Sequence, residues 1–187
     1  MKQIVILASG SGSNAENIIT YFRESPKIKV TAVLTNKKEA KVLGRCDRLG
    51  VPAFYFNRTS FTNSDAVVQL LKGLSADLVV LAGFLWKIPE NMIAAFPNKI
   101  INIHPALLPK YGGKGMYGEK VHQAVKENGE PDTGITIHYV NENYDEGAII
   151  FQAKTTINPS DDANSIAEKV HQLEYEHFPK IIEKLLS

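Results

Sequence analysis

Lys2-Gln3-Ile4-Val5-Ile6-Leu7-Ala8 runs directly into Ser9-Gly10-Ser11-Gly12-Ser13-Asn14 at the start of this 187-residue chain. The unbroken apolar run ahead of two glycines reads as a strand buried on both faces, and residues 14–23 behind the turn read as a helix. The pattern then repeats. Strands are expected at 29–35, 53–56, 77–82 and 99–103, with helices at 40–49, 63–74 and, opened by its proline, 89–96. This alternation predicts an α/β fold, a Rossmann-like and mostly parallel sheet with helices on both faces. A helix at 119–127, strands at 133–140 and 148–155, and a long final helix complete the chain. No internal repeat, low-complexity tract or linker divides it, so residues 1–187 are expected to form one domain with a full-sized core.

Composition narrows the function classes. The 21 Lys and Arg are scattered among 20 Asp and Glu, a net charge of +1 that offers no electrostatic footprint for nucleic acid. The single cysteine, Cys46, permits neither an internal disulfide framework nor a cysteine-only metal site. The apolar run 4–8 is shorter than the roughly 7–15 residues of a signal-peptide core, and no stretch approaches the ~18 apolar residues of a membrane span. The expectation is a soluble, cytoplasmic protein that acts on small molecules, with no membrane partner and either a monomer or a homodimer.

The first turn carries chemistry. Gly10 to Ala15 follows a strand and opens a helix, so its amides face outward at a positive helix end, where small residues let an anion approach the backbone. A phosphate site and a merely tight turn both fit. The spacing also satisfies G-x-G-x-x-A, which raises an NADP-dependent oxidoreductase as an alternative of another class. That fingerprint expects an acid after the second strand. Thr35-Asn36-Lys37-Lys38 stands there instead, and the lysines would suit only a 2′-phosphate.

Asn102-Ile103-His104-Pro105 closes the strand 99–103 with Asn102 and His104 on one side. An amide and an imidazole side by side can stabilise an oxyanion during acyl transfer. Asp145, in the polar turn Asn143-Tyr144-Asp145-Glu146-Gly147, is the expected partner of the imidazole, raising its pKa and fixing its orientation. The plain alternative is a strand end with a solvated histidine. His122 and His138 read as structural, one in a helix and one alternating along a strand. Two further features stand out. Gly112, Gly113, Gly115 and Gly118 exclude a stable helix or strand interior and suit either a mobile flap or a surface loop. Glu174 falls inside the apolar stripe of the final helix and so requires a partner, ordinarily a lysine or arginine. Pro179 is expected to kink that helix.

Together these segments resemble the 10-formyltetrahydrofolate-dependent formyltransferases. The match rests on Ile101-Asn102-Ile103-His104-Pro105-Ala106-Leu107-Leu108-Pro109-Lys110-Tyr111, on Ala82-Gly83-Phe84, on Gly134-Ile135-Thr136-Ile137-His138, and on Asp145-Glu146-Gly147 with Ile150-Phe151-Gln152. These motifs come in family order over nearly the whole chain. Ser9 to Asn14 is similar to the branch that formylates glycinamide ribonucleotide in de novo purine synthesis. The resemblance implies a formyltransferase fold and transfer of a formyl group from 10-formyltetrahydrofolate, as co-substrate, to the ribonucleotide amine without a metal. It implies Asn102, His104 and Asp145 as catalytic residues. For the ribonucleotide it implies Gly12, Ser13 and Asn14, with His171, Gln172, Leu173 and Glu174. For the folate it implies Leu85, Trp86, Lys87 and Ile88, then Asn102, Asn141, Glu142, Asn143, Tyr144 and Asp145, with Arg58 as the basic contact. The loop 112–118 departs from the family's commoner pattern, which is shorter and has Pro-Gly after Lys-Tyr. Two relatives within the superfamily fit less well. A formyltetrahydrofolate deformylase ordinarily carries a regulatory domain ahead of the catalytic one, and a methionyl-tRNA formyltransferase needs a further C-terminal domain and a basic surface.

Overall fold

The computed structural model describes residues 1–187. β1 (Lys2–Leu7) is central because it has no polar face: Ile4 and Ile6 enter one core and Val5 and Leu7 the other, all fully buried. The order of elements is β1, α1 (Ser13–Phe22), β2 (Ile28–Thr35), α2 (Lys41–Leu49), β3 (Ala53–Tyr55), α3 (Arg58–Thr62), α4 (Ala66–Gly73), β4 (Leu78–Leu81), α5 (Glu90–Ala95), β5 (Ile100–His104), α6 (Glu119–Glu127), β6 (Asp132–Tyr139), β7 (Ile149–Thr156) and α7 (Ala163–Leu186). One seven-stranded sheet forms in the order β3-β2-β1-β4-β5-β6-β7, in which β6 alone is reversed and pairs antiparallel with β5 and with β7. The expected α/β architecture is observed.

The chain builds β1, β2 and β3 outward, then crosses to place β4 on the other side of β1. The loops after β1 and β4 diverge there and open a crevice at the strand ends, where ligands of open α/β sheets bind. The two loops are clasped. The Ser9 amide donates to the Gly83 carbonyl at 3.1 Å, and Ser9 Oγ accepts from the Leu85 amide at 2.9 Å.

Two helical details add to the expected order of elements. The helix expected at 63–74 is observed as α4, and an unexpected short helix, α3, precedes it, started by the Asn57 side chain accepting from the Ser60 amide at 2.9 Å. Thr and Ser within α3 are weak helix formers, so the cap rather than propensity decides that turn. The second concerns Pro179. α7 stays helical through it from Ala163 to Leu186. Proline removes the amide that would bond the carbonyl four residues back, and that carbonyl, on Tyr175, accepts instead from Asn17 Nδ2 at 2.9 Å. α1 therefore repairs the break and holds α7 beside the crevice. No helix is long and apolar enough to cross a membrane.

Candidate active site

The crevice is a cleft of about 550 Å³ walled by the loops after β1, β4 and β5, by the glycine-rich segment, and by α6 and α7. At the β1 end, Gly12 caps α1 with φ +75°, a left-handed turn that only glycine adopts without strain. Its Cα faces Val42 so closely that an added Cβ would lie 2.3 Å from Val42 Cγ2. The loop is fixed from behind, where the Val42 amide donates to the Gly10 carbonyl and Arg45 Nε to the Ser11 carbonyl. This leaves the first amides of α1 on the cleft side with Ser11, Ser13 and Lys37. Lys38 lies instead over the Tyr55 ring.

At the β5 end, Asn102, His104 and Asp145 converge as expected. His104 Nδ1 is 3.5 Å from Asp145 Oδ2, and Asn102 Nδ2 is 3.5 Å from Asp145 Oδ1. Two partners were not legible in the sequence. Antiparallel pairing sets His138 directly opposite Asn102, and opposite residues share a face. His138 Nε2 is therefore 3.1 Å from Asn102 Nδ2 and 3.6 Å from Asp145 Oδ1. His138 Nδ1 donates to the Tyr139 carbonyl at 2.8 Å, which turns Nε2 toward the Asn102 amide and the Asp145 carboxylate and so orients them. The reading of His138 as merely structural is thus corrected. The second partner is backbone: His104 Nε2 donates to the Tyr111 carbonyl at 2.7 Å.

The electrostatics also depart from expectation. Burial pushes the His104 pKa below its ordinary value, outweighing Asp145 and the Tyr111 carbonyl, which pull it up, while His138 adds to the depression. The expected net increase does not occur, because the side chain is only 4 % exposed and an imidazolium loses its hydration there. Burial alone would raise the Asp145 carboxyl, but His138, His104 and the Gly113 amide together hold it below the usual carboxylate range. Asp145 is therefore the fixed anion of the site.

The glycine-rich segment is a cover over this site. Gly113 to Gly118 line the cleft, and the Gly113 amide donates to Asp145 Oδ2 at 2.9 Å. Tyr111, Gly113, Gly115 and Gly118 have positive φ. The base of the segment is pinned: the Leu108 amide donates to Thr136 Oγ1 at 3.0 Å and Gln152 Nε2 to the Leu108 carbonyl at 3.1 Å.

Of the residues expected on the ribonucleotide, Gly12, Ser13, Asn14, His171 and Glu174 line the cleft, whereas Gln172 and Leu173 do not. Gln172 is exposed and Leu173 packs on the core, because residues three or four apart on α7 share a face, as His171 and Glu174 do, and the two between them do not. Glu174 has no cationic partner. Burial raises its pKa against the opposing pull of Asn14 Nδ2, which donates to it at 2.8 Å, and of His171. His122 is corrected too: it lines the cleft, is 2 % exposed, and is driven by burial down to about 4.

The residues expected on the folate divide. Leu85 lines the main cleft. Trp86, Lys87, Ile88, Asn141, Asn143 and Tyr144 surround a crevice of about 60 Å³ beside Asn102, His138 and Asp145, while Glu142 lines neither. That volume holds roughly a few waters, so a bicyclic ring requires the 141–145 loop to yield. Arg58 sits over the Trp86 ring at 5.1 Å and lines an adjoining open groove with Lys87 and Ile88.

These buried neutral histidines have a consequence for stability. As pH falls from 6.5 toward 4, the unfolded chain binds a proton at residue 122 that the native state refuses, so stability falls through that window. The loss is on the order of 3 kcal/mol if burial is maintained. His122→Phe is expected to flatten the decline of Tm between pH 7 and 4.5. Parallel Tm profiles for the two proteins would contradict this.

An anion-type loop and an oxyanion-type trio on one α/β crevice describe a group transfer to a phosphorylated acceptor, and comparison with known proteins agrees. The family model described as formyl transferase matches residues 2–182. The phosphoribosylglycinamide formyltransferase of Haemophilus influenzae is 37 % identical over 97 % of this chain and 86 % of its own length. That of Bacillus subtilis is 36 % identical over 100 % of this chain and 95 % of its own. Among solved structures, glycinamide ribonucleotide transformylase 1 from Symbiobacterium toebii superposes with a TM-score of 0.90 at 31 % identity, covering 100 % of this chain and 88 % of that one. The site geometry, the sheet order and these matches over nearly the full length place the chain in the formyl transferase family.

Proposed function

We propose that residues 1–187 act as one domain that transfers the formyl group of 10-formyltetrahydrofolate to the amine of glycinamide ribonucleotide, a step of de novo purine synthesis. The observation that carries this reading is the joint placement of two features on one cleft: Gly12 at the start of α1, and Asn102, His104 and Asp145 beside β5. β4 alone separates β1 from β5, so the two loops are about 10 Å apart, two strand spacings. A phosphate on the first and an amine at the second suit the span of a sugar phosphate.

In the proposed reaction the α1 amides and Lys37 hold the phosphate, and the neutral amine attacks the formyl carbon. The Asn102 amide, held by His138, and His104 stabilise the tetrahedral oxyanion. Oxyanion charge beside His104 raises the imidazole pKa that burial depresses, so the residue becomes cationic as the charge develops. The Tyr111 carbonyl must first leave His104 Nε2, and the glycines of 112–118 supply the hinge. The new C–N bond then stands beside the old one. The attacking nitrogen, cationic in the adduct, gives its proton to His104, directly or through a water held by Asp145; His104 returns a proton to N10, the oxyanion collapses to the carbonyl and the C–N10 bond breaks.

The names of the relatives favour this acceptor over water, and the end of β2, Thr35-Asn36-Lys37-Lys38, holds no acid to favour a dinucleotide. The same reading makes the protein a cytoplasmic enzyme of small molecules. The assay is consumption of 10-formyltetrahydrofolate with and without glycinamide ribonucleotide, with NADPH as a competitor. Turnover should require the ribonucleotide and ignore NADPH. Formate release without the ribonucleotide would overturn the reading in favour of a hydrolase.

A further inference from the structure

The loop that opens α1 is aimed from behind by α2. In a trans peptide the carbonyl and the amide point in opposite directions. The Gly10 carbonyl accepts from the Val42 amide at 3.2 Å, so the Ser11 amide of the same peptide points away from α2. The Ser11 carbonyl accepts from Arg45 Nε at 2.8 Å, so the Gly12 amide points the same way. Ser9 to Asn14 line the cleft and no residue of α2 does, which opens both amides on the cleft. Neither of them, nor the Ser13 amide, finds a backbone acceptor.

The two supports differ in kind. Val42 and Arg45 lie three residues apart and share a face of α2. The Val42 amide is an orphan donor at a helix start, which any residue but proline supplies there. The second support depends on one side chain. The Arg45 guanidinium also bonds Glu16 through Nη1, and Arg48 bonds the other Glu16 oxygen. Arg48 and Arg45 together hold the Glu16 carboxyl below the usual carboxylate range. Glu16 lies in the first turn of α1, so the anchor of Arg45 belongs to the helix whose N-terminus faces the cleft. A guanidinium spans two acceptors in fixed directions, which a compact ammonium on a flexible stem does not.

We infer that Arg45 is a positioning residue for the acceptor: clamped by Glu16, it fixes the Ser11–Gly12 peptide so that the Gly12 amide meets the phosphate. The assignment rests on the proposed function, in which this loop holds the phosphate of the ribonucleotide. It goes further by making a side chain outside the cleft set the affinity of the loop. Without Arg45 the peptide is free to rotate and turn its carbonyl to the cleft, where the oxygen repels an anion. Glycine at position 12 gives that rotation the least steric resistance. Glu16 makes the prediction one of sign. A carboxylate in the turn that receives a phosphate repels it, so on charge alone Glu16→Gln tightens the acceptor. If Glu16 aims Arg45, the same change weakens it.

The test measures KM and kcat for glycinamide ribonucleotide, and for the riboside without its phosphate, in the wild type, Arg45→Ala, Arg45→Lys and Glu16→Gln. Arg45→Ala should raise KM for the ribonucleotide about 10-fold and leave kcat within about twofold, because the lost bond acts on binding. Its kcat/KM on the riboside should match the wild type, and its KM for 10-formyltetrahydrofolate should not move. Arg45→Lys keeps the charge and should recover only part of the affinity. Glu16→Gln should raise KM about threefold rather than lower it. Both side chains are partly exposed, so each variant should melt within about 4 °C of the wild type. Equal losses on ribonucleotide and riboside, wild-type affinity in Arg45→Lys, or a lower KM in Glu16→Gln each overturn the inference. Absence of ribonucleotide-dependent transfer in the wild type is failure of the functional reading, a separate outcome. In that event inorganic phosphate replaces the acceptor. It should shift the Gly12 amide resonance of the wild type, with a midpoint about 10-fold higher in Arg45→Ala. Equal midpoints, or no shift in the wild type, overturn the inference.

Discussion

Asp145→Asn is expected to fold normally and to transfer formyl groups about 10⁴-fold more slowly, the loss seen when a serine-protease triad loses its carboxylate charge. The side chain meets three groups at once: His104 Nδ1 at 3.5 Å, Asn102 Nδ2 at 3.5 Å and the Gly113 amide at 2.9 Å. An asparagine oxygen can still accept from Gly113, so the fold and the cover loop should persist. What disappears is the negative charge that opposes the burial of His104. Without it the imidazole stays neutral when the oxyanion forms, and the stabilisation expected of a cation is lost. Because the ribonucleotide is expected on the Gly12 loop and α7, its KM should change little. Single-turnover rates with thermal melts in parallel decide the outcome. A variant that keeps more than about a tenth of wild-type kcat would remove Asp145 from its role.

Gly12→Val should affect the other end of the cleft. The residue lies at φ +75°, where a β-branched side chain is strained, and its Cβ would overlap Val42, which is fully buried. Left-handed backbone at a non-glycine costs about 1–2 kcal/mol and overpacking about 1–3 kcal/mol. The variant should therefore melt earlier than the wild type and bind the ribonucleotide too weakly to saturate, while folate binding stays within a small factor. Removing the phosphate from the acceptor should reproduce the binding defect in the wild-type protein without the loss of stability. A folded Gly12→Val protein with an unchanged KM for the ribonucleotide would sink the phosphate assignment, and loss of folate affinity instead would move the loop to the co-substrate side.

Local pattern made most of the architecture legible. The apolar run of β1, the glycine turn behind it and the repeat of strand and helix specify a parallel sheet, because buried strands and amphipathic helices have different apolar periods. The spacing of Asn102 and His104 places both on one side of a strand end, so two of the trio need no structure to be seen. Glu174 was legible as an anomaly, a carboxylate within an apolar stripe, though not its neutral partner Asn14.

The remainder depends on which segments meet, and no local pattern encodes that. His138 supports Asn102 only because β6 pairs antiparallel with β5 in one register, and a slip of one residue would turn it to the other face. The Tyr111 carbonyl holds His104 through a backbone atom that any residue at that position would supply. His122 read as an ordinary helical histidine until α6 and α7 packed it against His171 on the cleft wall. The sign of the His104 shift was likewise beyond the sequence. The nearby carboxylate was visible there, but desolvation depends on everything that covers the ring, and in this fold desolvation wins. The sequence by itself determined the order of strands and helices and singled out the candidate trio, since both are written in spacing and residue type. Only the tertiary structure decided their partners and their charge states, since these follow from register and burial.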